Sequence, residues 1–301
     1  MNSNTRARNN FMKGFFYALA GTFFVSTNYI TAKYALQGFN PETFSLIWTA
    51  TAAVYSYIII LITGKRRLLT IPARTIGKTI VLGIATGIGM ILSWAGLARL
   101  DPSFTAFLWR FAPVLIIMFS ALFLGERLSI IELGPIIIMI LGGVLSAIGR
   151  WDVVGTGIIL SLLGCCAFAI QMLMAKMVVD DIHPNILVFY RVGIGVCVIA
   201  LWTFLTGKAD FDVKTSYWLV TFLGAFLGPC FSFLLTFQSY RIWDLSRSTI
   251  VRTTQPLFVL PLAYLILNKL PTKKELFGGL IILVGSFWFA WIHFIQRKQK
   301  K

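Results

Sequence analysis

Laid against itself at an offset of 143 positions, without a gap, the chain repeats: Gly21 falls on Gly164, Ala32-Lys33 on Ala175-Lys176, Pro41 on Pro184, and Thr63-Gly64-Lys65 on Thr206-Gly207-Lys208. Further along, Asp101 meets Asp244, Ser103 meets Ser246, Pro113 meets Pro256 and Gly142 meets Gly285. Each copy carries five apolar runs long enough to cross a bilayer, and five is odd. The second copy must therefore enter a membrane from the side opposite to the first. The expected fold is all-α and integral to the membrane, with ten transmembrane helices formed by two inverted five-helix repeats, 12–148 and 155–295. Inverted copies of one unit allow a central site to open to one side and then to the other, the basis of alternating-access transport.

The spans are expected at 12–36, 42–62, 76–98, 102–124, 129–148, 154–179, 184–206, 216–240, 245–267 and 274–295. At a rise of about 1.5 Å per residue, runs of about 20 residues cover a hydrocarbon core of about 30 Å. Composition agrees: 57% of the residues are hydrophobic and 13% charged, against about 25% charged in soluble domains. The net charge of +16 would suit nucleic acid, yet most charges sit in short loops, tails and span ends, so the bilayer, and no nucleic acid, is the expected partner. With the N-terminus inside, fifteen Lys and Arg fall on the inner side and seven on the outer. That bias predicts a multi-pass protein of the cytoplasmic (inner) membrane with both termini cytoplasmic.

The first thirteen residues are mostly polar and basic, and the run that follows is too long for a removable signal peptide. The loops are short, which leaves no extramembrane domain to host separate chemistry. Cys165, Cys166, Cys197 and Cys230 all lie within expected spans as small hydrophobes, without metal-ligand spacing. No metal site and no cofactor is expected, and no nucleotide-binding motif supports ATP-driven pumping. Gly83/Gly87 and Gly224/Gly228 form Gly-xxx-Gly pairs in the third and eighth spans, and Gly134, Gly142, Gly143, Gly278, Gly279 and Gly285 mark the fifth and tenth. These are packing faces within the chain or between copies in a homo-oligomer. Pro113, Pro229, Pro256 and Pro261 each remove a helical hydrogen bond, and the carbonyls so released either face a cavity or mark a packing kink.

Gly125-Glu126-Arg127-Leu128, preceded by Phe111-Ala112-Pro113-Val114 and followed by Gly134 and Gly142-Gly143, resembles the second half of an EamA-type unit, the building block of the drug/metabolite transporter superfamily. The first half is similar too: a span with Ala-Lys near its end, a loop with proline, and a span that in the family often holds an arginine near its start. Arg191 matches that arginine, and its repeat partner is Trp48. The second copy departs by carrying Asn268-Lys269-Leu270 where the first has Gly125-Glu126-Arg127, so any role shared by both family glutamates is missing from that half. The resemblance implies a ten-helix transporter with a central cavity enclosed by both repeats.

Ionisable groups within the membrane are costly, about 2.5–3.5 kcal/mol each on insertion scales, and usually face protein or water. Lys33 and Lys176, repeat partners near the ends of the first and sixth spans, either snorkel to the interface or serve, with Glu126, as gate or ion-pair groups. Arg110, Arg191 and Arg252 lie deeper. Arg110 and Arg252 each precede a proline by about one turn, and a guanidinium can clamp a carboxylate or phosphate, which makes them the leading substrate contacts; binding to backbone carbonyls is the other reading. Arg191, beside Tyr190, leans towards a structural role. Asn28 and Gln171 are repeat partners suited to substrate contact or interhelical bonding. Trp94, Trp109, Gln238 and Gln255 complete the candidate substrate-binding set. No carboxylate lies mid-span, so the interior carries a positive excess.

The expected function is a secondary transporter (exporter, facilitator or exchanger) of a small anionic or zwitterionic metabolite, an amino acid being the first guess. A transporter of cationic amines, nucleosides or drugs, and an integral-membrane enzyme acting on a lipid-soluble substrate, are the alternatives. No catalytic cluster favours the enzyme.

Overall fold

The computed structural model describes residues 3–124, 131, 133–148, 151–243, 248 and 251–299. Among them the chain is all-helical. The helices are α1 (Ser3–Ala35), α2 (Pro41–Ile62), α3 (Ala73–Arg99), α4 (Pro102–Leu108), α5 (Ala112–Leu124), α6 (Leu133–Ala147), α7 (Trp151–Val178), α8 (Pro184–Thr206), α9 (Thr215–Ala225), α10 (Phe233–Ile242), α11 (Gln255–Leu267) and α12 (Lys273–Gln299). Among the described residues six stretches are long and apolar enough to cross a membrane: Pro41–Ile62, Ala73–Arg99, Val154–Val178, Pro184–Thr206, Thr215–Ile242 and Lys273–Ile292, with shorter apolar helices at Pro102–Ile116, Leu133–Ser146 and Gln255–Leu267. The molecule is a multi-pass helical membrane bundle.

Local chemistry sets the helix limits. Asn40 caps α2 by accepting the Thr43 N–H at 2.8 Å, and His183 caps α8 by accepting the Asn185 N–H on Nδ1 at 3.2 Å, each followed by a proline in the first turn, where a missing N–H does no harm. Both helices end at a glycine in the left-handed region, Gly64 (φ 66°) and Gly207 (φ 62°), a conformation that a side chain would strain.

Prolines interrupt three spans, each differently. Residues 102–124, expected as one span, are split by a 3-10 turn, Trp109–Phe111, immediately before Pro113. Pro113 cannot donate to the Trp109 carbonyl, and the Ala112 N–H takes it instead. In the ninth expected span a turn at Thr253–Thr254 follows helical Val251 and Arg252, and helix resumes at Gln255 with Pro256 in its first turn. Residues 215–242 continue as one helix through a π-helical stretch, Phe226–Ser232, that holds Pro229.

Apolar stripes divide between core and lipid. On α3, Ile76, Ile80, Ile84 and Ile88 recur at every fourth position on the exposed side, while Thr79, Leu82, Thr86 and Gly89 point inward. Gly83 and Gly87 pack closely on Ile194 and Val198 of α8. At the crossing of α6 and α12 a Cβ on Gly142 would stand 2.7 Å from the Gly278 carbonyl oxygen, so these glycines bring the two helices together within one chain. Buried hydroxyls such as Thr22 and Ser26 donate to carbonyls four residues back, which keeps them satisfied where water is absent.

Candidate functional site

A cavity opens between the helices, with about 630 Å³ of non-atom space that includes the open solvent at its mouth. Both halves of the chain build it. From the first half come Val25, Asn28 and Tyr29 of α1, Gly89, Met90, Ser93, Trp94 and Leu97 of α3, Thr105 of α4, and Trp109 of the 3-10 turn. The second half adds Phe168 and Gln171 of α7, Phe233 of α10, and Arg252 and Gln255 around the start of α11. A smaller space of about 350 Å³ adjoins it, reaching Pro113, Ile116, Met172 and Tyr240. Trp109, Phe168, Arg252 and Gln255 wall both spaces, and the partition between them is therefore made of four side chains. Among the described residues no group of three His, Cys, Asp or Glu could hold a metal.

The three deep arginines separate by what their nitrogens meet. Arg110 is buried and faces away from the larger cavity, with Nη1 donating to the Arg252 carbonyl, Nη2 to Gln255 Oε1, and Nε to the Ala106 carbonyl at 3.3 Å. Its first bond has a covalent cause. Pro256, four residues after Arg252, lacks the N–H that would take that carbonyl in a regular helix, and Arg110 supplies a donor from the other half of the chain. Arg191 behaves similarly. Its Nη2 donates to the Pro229 carbonyl at 2.6 Å, where the next helical turn closes instead on Cys230, and its guanidinium lies 3.7 Å from the centre of the Phe233 ring. Arg252 differs: it is half-buried, donates to Thr236 Oγ1 at 3.2 Å, lies 5.3 Å from the Phe168 ring centre, and reaches the larger cavity.

The two repeat-partner amides differ: Gln171 has its hydrogen bonds committed, whereas Asn28 Oδ1 is buried without a hydrogen-bond partner. Gln171 accepts from Thr86 Oγ1 at 3.0 Å and from Arg191 Nη1 at 3.4 Å, and donates to the Ala85 carbonyl at 3.2 Å. Asn28 presses on Gly228 so closely that a Cβ there would overlap its amide, which accounts for glycine at 228. Trp94 lines the cavity from an aromatic cluster with Phe44 and Trp48, ring centres 5.1–5.4 Å apart.

Other candidates lie elsewhere. Lys33 Nζ donates to the carbonyls of Leu97, Ala98 and Leu100 at the end of α3, and Lys176 Nζ to that of Tyr240 near the end of α10. The Tyr190 hydroxyl holds the Leu69 carbonyl at 2.7 Å, pinning the 3-10 turn Lys65–Leu69. Gln238 is half-buried outside the cavity wall. Glu126 lies outside the described residues.

One family description accounts for nearly the whole chain, matching it twice in tandem, over residues 12–148 and again over 155–291. The chain belongs to the EamA-like transporter family. It is similar to the uncharacterized transporter YxxF of Bacillus subtilis (strain 168), at 23% identity over 217 residues, 69% of each protein. A protein of known crystal structure superposes with a TM-score of 0.65 at 15% identity, covering 93% of this chain and 96% of that one, a likeness of fold alone. As an EamA-like protein it is a small-molecule transporter, not an enzyme.

In this EamA-like transporter the cavity also draws on residues that sequence reasoning passed over: Tyr29, Met90, Ser93, Thr105, Phe168 and Phe233. Phe168 stands three residues before Gln171 on one helical face, and Met90 and Phe233 are repeat partners. Helical spacing from Gln171 was a usable signal for Phe168. The others read as ordinary apolar or hydroxyl residues of a membrane helix.

Proposed function

We propose that this chain is a secondary transporter of the cytoplasmic membrane that moves a small anionic or zwitterionic metabolite, an amino acid in the first instance, by alternating access. In this reading ten spans form two inverted repeats, 12–148 and 155–295, with both termini cytoplasmic. Paired features 143 positions apart support the repeat: the caps Asn40 and His183, the left-handed glycines Gly64 and Gly207, and the prolines Pro113 and Pro256, each placed just after a break in its span.

The observation that carries the substrate class is Arg252. It brings a positive charge to the cavity wall, and among the described lining residues no carboxylate accompanies it. A half-buried charge in the wall of a membrane cavity is unfavourable without a counter-ion, and a ligand acid group would offset it. Arg252 then binds the substrate acid at the partition between the two spaces, while Arg110, from the facing half, holds the Arg252 backbone carbonyl and the Gln255 side chain in place. Movement of that partition would expose the bound molecule to one space and then to the other. This geometry fits an exporter, a facilitator or an exchanger.

Counterflow in proteoliposomes tests the reading. Vesicles preloaded with an unlabelled amino acid should accelerate entry of the labelled compound, saturably and in the presence of ionophores. Saturable movement of purely cationic amines, with none of acid-bearing solutes, would overturn it.

A further inference from the structure

The cavity restricts the body of its ligand as well as its charge. Gln171 is held by Thr86, the Ala85 carbonyl and Arg191, Gln255 Oε1 by Arg110, and the Asn28 amide is wedged against Gly228. Gln171 and the Gln255 oxygen have little capacity left for a ligand, and the buried Asn28 Oδ1, which has no hydrogen-bond partner, is left as a single acceptor for a ligand donor such as an amine. Beyond Arg252 the wall facing the ligand is mainly rings and aliphatic chains: Tyr29, Met90, Trp94, Leu97, Trp109 and Phe233. A sugar phosphate or nucleotide would bring several hydroxyls and more than one charge against this wall. Each group stranded there would lose its hydrogen bonds to water without replacement. An apolar body instead gains by leaving water.

Building on the reading that Arg252 receives the substrate acid, we infer that the cavity selects a molecule with one acid group and a bulky apolar body: a monocarboxylate amino acid with a branched or aromatic side chain. Its carboxylate lies on Arg252 and its body runs along Met90, Trp94 and Phe233. The hydroxyl oxygens of Ser93 and Thr105 stand in the same wall as acceptors for its amine. Thr105 already donates its hydroxyl proton to the Asp101 carbonyl at 2.9 Å, which leaves its oxygen free to accept.

The test is uptake by the full chain in proteoliposomes of labelled leucine, phenylalanine, glycine, glutamate and glucose 6-phosphate. Leucine or phenylalanine should exceed the last three by about 10-fold or more in kcat/KM, the scale on which an apolar pocket discriminates. Met90→Phe, which copies the repeat partner Phe233, narrows the cavity; it should reduce phenylalanine uptake about 10-fold more than alanine uptake. Thermal unfolding of the Met90→Phe protein at the wild-type temperature serves as the folding control, so that a selective loss of phenylalanine uptake reads the pocket and not the fold. Arg252-dependent uptake of glycine, glutamate or glucose 6-phosphate equal to that of leucine and phenylalanine would overturn the inference and leave the transporter of acid-bearing solutes standing. Saturable uptake of cationic amines alone would overturn both.

Discussion

Lys33 and Lys176, 143 positions apart, make the same hydrogen bond: Lys33 Nζ donates to the Leu97 carbonyl at 2.8 Å and Lys176 Nζ to the Tyr240 carbonyl at 3.0 Å, and Leu97 and Tyr240 are themselves 143 positions apart. In each copy the lysine of the first helix closes off carbonyls at the C-terminal end of the third span, where the helix dipole favours a cation. Lys33 reaches two further carbonyls, those of Ala98 at 3.0 Å and Leu100 at 2.7 Å. The two copies thus share a contact and differ in how fully it is made.

Removing these donors should therefore cost unequal amounts. Lys33→Met is expected to lower stability by about 1.5–3 kcal/mol, the range for hydrogen bonds to charged groups, and Lys176→Met by less. Chemical denaturation in detergent reads the difference. A larger loss at Lys176 would contradict the account.

Arg110 is expected to act on the scaffold. Arg110→Gln leaves the Arg252 carbonyl without its donor, a loss of about 1–3 kcal/mol for a stranded buried acceptor, seen as a lower Tm. Pro256→Ala restores an N–H four residues after Arg252, so the pair Arg110→Gln/Pro256→Ala should be more stable than the sum of its single changes. Strict additivity would show that Arg110 does not cap that carbonyl.

His183 supplies a pH dependence. Its Nδ1 accepts the Asn185 N–H only when unprotonated, and burial, then Lys65 and Arg241, push its pKa below the ordinary histidine value. The unfolded chain, with an ordinary pKa of about 6.5, binds the proton more readily than the folded one. Stability is therefore full above that pH and falls as pH drops through it. His183→Asn, which copies the cap Asn40, keeps an acceptor that does not titrate. Between pH 7.5 and pH 5.5 the wild-type Tm should fall further than that of the variant, and equal slopes would refute the role of His183.

Inverted topology has a direct readout in a cysteine-free background. Single cysteines at Asn40 and Lys208 should react with an impermeant maleimide from outside intact cells, whereas those at Lys65 and Asp180 should react only after permeabilisation. Asn40 Nδ2 already donates to the Lys208 carbonyl at 2.7 Å, and Arg74 pairs with Asp181 at 2.5 Å, so each set shares one face of the bundle. Labelling of Lys65 and Lys208 from the same side would sink the inverted arrangement.

Much of this was legible in the chain. Apolar runs marked the helices, Asn28 and Gln171 do meet one cavity, and the prolines marked where the spans break. The form of each break was not legible, because a missing N–H can be absorbed by a 3-10 turn, as before Pro113, or by a wider turn, as around Pro229. Nor could composition tell which arginine lines the larger cavity. Arg110 and Arg252 are alike in depth and in distance from a proline, and the distinction rests on packing: Arg110 lies within reach of the carbonyl that Pro256 releases, whereas Arg252 donates to Thr236 and lines the larger cavity. Phe168 and Phe233 escaped because aromatic residues at helical spacing usually belong to the core.

The central claim is that Arg252 binds the acid group of the transported molecule. The direct measurement is kcat/KM for uptake of labelled leucine and phenylalanine in proteoliposomes by the wild type, Arg252→Lys and Arg252→Gln, each first shown to keep its fold by thermal unfolding. Loss of a charge-assisted hydrogen bond of about 1.5–3 kcal/mol predicts a fall of about 10- to 150-fold for Arg252→Gln. Arg252→Lys should fall between the two, since it keeps the charge but loses the two-pronged geometry. Uptake by a folded Arg252→Gln protein at the wild-type level would contradict the account.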